Sequence, residues 1–275
     1  MLRDAQPSPY VHEQQMIGPT RPALQHVLAQ SGPPVALVAV LLVAWEALVR
    51  ALAIPDWLLP PPSQIVMTFF TTLPVLAGHV SATLYVTAVG FVLALLVGFG
   101  LAFVLDASPA ARRALYPLLV ASQTVPIVAI APLLVVGLGF GALPKILVVA
   151  LVTFFPIVVN TVDGLQSTDR DMLRLFRAMD ASHWQTLRLL RIPAALPAIF
   201  TGLKVAITYS VIGAVLAEWI GASAGLGVYI ARSLRAFRTD QVFVAAFVTS
   251  LLTVVLFALT AMLERWLVSW KGSEE

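Results

Sequence analysis

The stretch RAMDASHWQTLRLLRIPAALP, Arg177–Pro197, is the longest strongly basic patch in a chain that otherwise reads as lipid-soluble. Arg174, Arg177, Arg188 and Arg191 sit in or beside it, and apolar residues recur between them at helical spacing. Apolar runs long enough to cross a bilayer flank it on both sides. Of the 275 residues, 59% are hydrophobic and 11% charged, against about 25% charged in a soluble domain. The mean hydropathy is +0.91. The chain is therefore an all-α integral membrane protein, and the basic patch is a loop that leaves the membrane.

A spanning helix needs about 20 mostly apolar residues. Six segments qualify: 33–53, 79–105, 115–136, 143–161, 194–219 and 241–268. The prolines of PDWLLPPPSQIV should break the first helix and leave a short surface helix within 55–78. GASAGLGVYIARSLRAFRTD, between the last two segments, has room for a short re-entrant or interfacial helix. Residues 1–30 are polar, lack the basic-then-apolar order of a signal peptide, and read as a cytoplasmic tail. Residues 31–275 then form one six-helix domain. With both termini inside, eleven Lys and Arg face the cytoplasm and five the exterior, the bias that sets topology. The exception is the outward cluster Arg232, Arg235 and Arg238.

The long loop, 162–193, carries two helix starts. Thr168 followed by Asp171 and Ser182 followed by Gln185 both have capping-box spacing. Leu173 and Phe176 share one face of the first helix. Trp184, Leu187 and Leu190 stripe the second, with Arg188 and Arg191 flanking the stripe, and Pro193 stops it. Two short helices joined at a bend thus present aromatic and leucine side chains. Pattern alone serves equally a surface helix on anionic lipid and a helix docking on another protein.

RAMDASHWQTLRLLRIPAALPAIFTGLKVA resembles the EAA loop in the permease subunits of ATP-binding-cassette importers. The resemblance covers most of the chain. Pro117–Leu165 is similar to that family's middle helices, and GAVLAEWIGASAGLGVYI, Gly213–Ile230, to the end of its fifth helix and the following loop. It implies a type I importer permease fold in a bacterial inner membrane. The implied partners are ATPase subunits, a second permease copy in a homodimer, an extracytoplasmic substrate-binding protein and membrane lipid. ATP and Mg would bind the ATPase, not this chain. The resemblance assigns ATPase coupling to Arg174, Phe176, Arg177, Asp180, Ala181, Ser182, His183, Trp184 and Leu187. Arg174, Leu175 and Phe176 stand where the motif has Glu-Ala-Ala, and Asp180 where it has glycine. That glycine serves a bend with positive φ, which Asp tolerates better than most residues. The branch most resembled imports sulfonates, taurine, nitrate and thiamine precursors. Glu218–Ala222 ahead of Gly225-Leu226-Gly227 looks most like the pyrimidine or riboflavin members.

Charges inside a membrane cost roughly 2.5–3.5 kcal/mol near its centre, so each asks for a reason. Glu46 has Arg50 one turn on. Lys204 can snorkel to the inner interface. Glu218, near the outer end of its segment, either lines the gate or meets water. Gln123, Thr124, Tyr209, Ser210 and Glu218 are the candidates for the translocation path. Pro126 and Pro132 should break the third span there. With no cysteine, disulfides, iron–sulfur clusters and thiolate zinc sites are excluded. The four histidines have no metal-ligand spacing, no basic run is interleaved with aromatics for nucleic acid, and no P-loop motif is present. The chain reads as a transport subunit rather than an enzyme. The alternative is a secondary transporter that works without an ATPase; such proteins usually show internal repeats, and none is visible between the halves.

Overall fold

The computed structural model describes residues 23–268. Residues 1–22 of the expected tail, and Lys271, lie outside them. All regular structure among the described residues is helical. The first helix, α1 (Ala23–Ala51), is a unit by itself. Within it Glu46 and Arg50 pair at 2.6 Å, as their spacing suggested.

The second unit starts at residue 53. Its first helix is α2 (Pro62–Ala107). Here the expectation fails: the surface helix and the second span are one continuous helix of 46 residues. Helix α1 has already ended at Ala51, ahead of the prolines. Pro62 then occupies a helix-start position, where its fixed φ fits and its missing N–H costs nothing. Pro74 lies inside the helix without stopping it. At 1.5 Å per residue α2 is about 70 Å long, far more than a bilayer core of roughly 30 Å.

The third span also differs. It is split into α3 (Pro109–Ser122) and α4 (Ile127–Leu138), bent by 95°. Pro126 starts α4, so the break falls where one of the two prolines put it; Pro132 is accommodated inside α4. Among the described residues, five helices are long and apolar enough to cross a membrane, six if the bent pair counts as one span. The remaining elements are α5 (Ala142–Gln166), α6 (Arg170–Ala178), α7 (His183–Thr186), a π-helical turn at Leu187–Arg191, α8 (Ile192–Glu218), α9 (Leu226–Arg235) and α10 (Thr239–Leu267). The short helix expected between the last two spans is α9.

Helices α2, α5 and α8 form the centre. In a membrane little hydrophobic drive exists between helices, so close packing of small residues takes its place. Gly90, Ala94, Gly98 and Ala102 recur every fourth residue along α2 and are buried. A Cβ at Gly90 would stand 2.6 Å from the Val149 side chain of α5, and one at Gly202 of α8 2.6 Å from Asn160 of α5. Lys204 has a charged partner near the end of α10. Its ammonium pairs with Glu264 of α10 at 2.5 Å, with both side chains largely buried. Pairing offsets part of the cost of burying the two charges.

Candidate functional site

The loop between α5 and α8 is built from local signals. The first cap is Asp169, not Thr168: its carboxylate accepts from Asp171 N–H at 2.7 Å. Thr168 is buried and donates to the Leu165 carbonyl, extending the previous helix instead. Helix α6 ends at Asp180 with φ +52°. Asp180 N–H bonds the Arg177 carbonyl and Ala181 N–H the Phe176 carbonyl, the two closing bonds of a Schellman turn. The bend read from the motif is therefore present, with Asp in the glycine role. Ser182 and Gln185 form both bonds of the second capping box.

Beyond Thr186 the π-helical turn changes the register. Leu187 packs inward against Leu165, Ala195 and Ile199, while Trp184 points away and is 65% exposed. The single stripe Trp184–Leu187–Leu190 thus splits. Met179 and Leu189, 71% and 64% exposed, join Trp184 as exposed apolar groups that the stripe did not include. Arg174 pairs with Asp171 on the surface at 2.7 Å. Arg177, Ser182 and His183 are exposed; Phe176 and Ala181 are half-buried.

Arg191 is not a surface charge. Its guanidinium grips both oxygens of Asp106 at 2.6 and 2.8 Å, and donates to the Leu165 carbonyl at 3.0 Å. Bidentate pairs of this kind are strong and directional. This one ties the end of the loop to the C-terminal ends of α2 and α5. Asp106 carried one signal in the sequence: it is a lone acid at the end of a span, beside basic residues.

Near the middle of α2, Glu218 is 1% exposed and fully engaged. Its carboxylate accepts from Thr83 Oγ1 of α2 and from Gly227 N–H, both at 2.8 Å. Thr83 Oγ1 in turn accepts from Leu226 N–H at 2.8 Å. A carboxylate thus caps the positive end of α9 and joins it to α2 and α8. Gly225, at φ +131°, passes so close that a Cβ would stand 2.2 Å from the carboxylate. His79 Nδ1 lies 3.0 Å from the Gly225 nitrogen and accepts its N–H when the proton is on Nε2. In this structure the Glu218 carboxylate is buried, with both oxygens accepting hydrogen bonds.

Gln123 and Tyr209 do come together. They line a cavity of about 330 Å³ between the α3–α4 break, α5 and α8. Asn160 and Phe155 complete its chemistry, and valines and Pro156 the rest of its wall. Asn160 donates to the Pro156 carbonyl at 2.8 Å, which turns its amide oxygen free for another donor. Pro156 has no N–H to give Val152, whose carbonyl therefore lacks its helical donor in the same wall. A second cavity of about 400 Å³ lies on the other side of Gln123. Neither cavity is lined by a charged side chain. Thr124 and Ser210 lie elsewhere: each hydroxyl donates to its own helix, to Ala121 and Ile207 respectively. Asn160 had a faint signal in the sequence, as the amide one turn past a proline in an apolar span.

A family model described as "Binding-protein-dependent transport system inner membrane component" matches residues 90–269. The formylaminopyrimidine transport permease protein ThiX of Halalkalibacterium halodurans is 40% identical over 246 residues, covering 89% of this chain and 98% of the relative. The riboflavin transport system permease protein RibX of Chloroflexus aurantiacus is 38% identical, covering 88% and 91%. Among solved structures, a chain of the MetNI methionine ABC transporter in inward-facing conformations superposes with a TM-score of 0.64 at 16% identity, over 72% of this chain and 98% of that one. Its likeness is one of fold, the type I importer permease fold. The chain belongs to the binding-protein-dependent transport system inner membrane components, the permease subunits of ATP-binding-cassette importers.

Proposed function

We propose that this permease carries a small, uncharged, flat heteroaromatic solute, of the formylaminopyrimidine kind, into the cytoplasm. The observation that carries this reading is the cavity at the α3–α4 break. Its polar groups are the Gln123 and Asn160 amides and the Tyr209 hydroxyl, its apolar wall includes Phe155, and no cation lines it. A sulfonate or nitrate stripped of water needs a charged or strongly donating partner. A pyrimidine edge needs an amide and a ring to stack on. The volume, about 330 Å³, is at the low end of small-molecule sites. Likeness to the ThiX and RibX permeases points the same way.

Two copies of the chain form the path as a homodimer, with the α5–α8 loops and both termini in the cytoplasm. Each loop docks on an ATPase subunit that holds ATP and Mg, through Trp184, Met179 and Leu189, while an extracytoplasmic binding protein delivers solute at the α9 side. Proteoliposomes containing the permease, with and without its ATPase and binding protein, test this. Uptake of labelled formylaminopyrimidine should need ATP and both partners, and Gln123→Leu or Asn160→Leu should reduce it. Uptake of taurine in its place would sink the substrate assignment. Uptake without the ATPase would instead favour a secondary transporter.

A further inference from the structure

A cleft of about 810 Å³ opens where α2 ends and α3 begins. The transport reading does not use it. Arg112, Arg113 and Arg191 line it together with Asp106, Tyr116 and Gln166. Three guanidinium groups against one carboxylate leave a formal charge of +2 in one cavity. The carboxylate is already taken, because Asp106 gives both oxygens to Arg191. Arg113 has only a long bond, 3.3 Å, to the Pro109 carbonyl, and among the described residues Arg112 has no acidic partner. Helix α3 also starts here, capped by Ser108, and adds its positive end.

The surroundings decide what kind of anion would sit there. Pro117 and Val120 continue the same face of α3 one turn deeper, since residues three and four apart are neighbours on a helix. Both are exposed, and both are apolar. A cationic cradle at the start of an apolar span, with an apolar strip running inward from it, matches an amphiphile rather than a free ion. We propose that this cleft binds a phosphate-bearing anion, and that the bound species is an anionic phospholipid. Arg112 and Arg113 hold its headgroup phosphate, and its acyl chain lies along Tyr116, Pro117 and Val120. Arg191 is the link to the loop: it lines the cleft and also holds the loop end to α2. A lipid seated there rests against the same ion pair that anchors the loop.

Native mass spectrometry of the full-length permease in detergent tests the site. Phosphatidylglycerol, phosphatidylcholine, inorganic phosphate and glycerol 3-phosphate are titrated separately and in competition. Phosphatidylglycerol should be retained in preference to phosphatidylcholine. The R112Q/R113Q variant should lose that preference by roughly thirtyfold, from about 1 kcal/mol for each of the two basic groups at a membrane surface. R265Q, an exposed arginine at the end of α10, should not. Thermal unfolding of the variants in detergent keeps lipid loss separate from misfolding, and R112K/R113K should restore most of the preference if charge is what matters. Equal retention of the two lipids, or an unchanged preference in R112Q/R113Q, overturns the proposal. Displacement of the lipid by glycerol 3-phosphate or inorganic phosphate at equal concentration overturns the lipid assignment and identifies a soluble phosphate as the ligand.

Discussion

Asp180 and Glu218 show two ways a single side chain shapes this molecule. Asp180 sits at φ +52°, where a β-branched side chain clashes with its own backbone and glycine is free of strain. Asp180→Gly should leave ATP-driven uptake intact. Asp180→Val should open the bend and reduce uptake more than it reduces ATP hydrolysis. Equal uptake by both variants in proteoliposomes would mean the bend does not matter to coupling. Glu218 is different because its role depends on residues far away in sequence. Its two oxygens accept from Thr83 and Gly227, and an amide can present only one acceptor. Glu218→Gln should therefore strand a buried donor and cost about 1–3 kcal/mol, seen as a lower unfolding temperature in detergent. Glu46→Gln, which loses a pair whose arginine is 66% exposed, should cost less than about 1 kcal/mol. A larger loss from Glu46→Gln would reverse that ranking. The bend at Asp180 was readable in sequence because backbone bonds three and five residues apart create it. The engagement of Glu218 was not, because Thr83 lies 135 residues away.

The same division holds for whole elements. The last three spans begin and end close to where hydropathy placed them, since their apolar runs end at glycine, proline or charge. The second and third did not. Helix α2 ran through Pro74, and the third span broke at 123–126. In the loop, local capping signals gave α7, but the inward turn of Leu187 could not be read from spacing that assumes 3.6 residues per turn. That turn leaves Trp184, Met179 and Leu189 as the exposed apolar set. If the loop docks on an ATPase, truncating its largest anchor should cost about 2 kcal/mol or more of binding. Trp184→Ala should lose the ATPase on co-purification while keeping its own unfolding temperature. The charge comparison must use Arg188 alone, because Arg191 is paired with Asp106. Arg188→Gln should keep the ATPase. The opposite ranking in the pull-down would point to a loop held by charge, as on anionic lipid.

Across the molecule, α2 is fastened at two points, near its middle and at its C-terminal end. Thr83 joins it to Glu218 and α9, and Asp106 joins it to Arg191 at the end of the loop. The two attachments are 23 residues apart, about 35 Å of continuous helix. Between them its small residues pack against α5, and Gln123, Asn160 and Tyr209 line the cavity formed by α3, α5 and α8. A push on the loop is expected to reach Glu218 as movement of a stiff rod, provided the Asp106–Arg191 joint holds. None of this was visible in the sequence, where Asp106 and Arg191 are 85 residues apart. Breaking one partner of a largely buried pair costs roughly 3–5 kcal/mol because the other charge is left behind. Asp106→Ala should thus weaken the loop's anchorage without touching its exposed docking face. The permease should still retain its ATPase and support ATP hydrolysis, while solute uptake per ATP falls severalfold. Asp106→Ala with Arg191→Met, which leaves no orphan charge, should recover unfolding temperature more than uptake, because the fold is relieved but the joint is still missing. Measured together in proteoliposomes, unchanged uptake per ATP in Asp106→Ala would mean that force reaches the outer side by another route, through α8 alone.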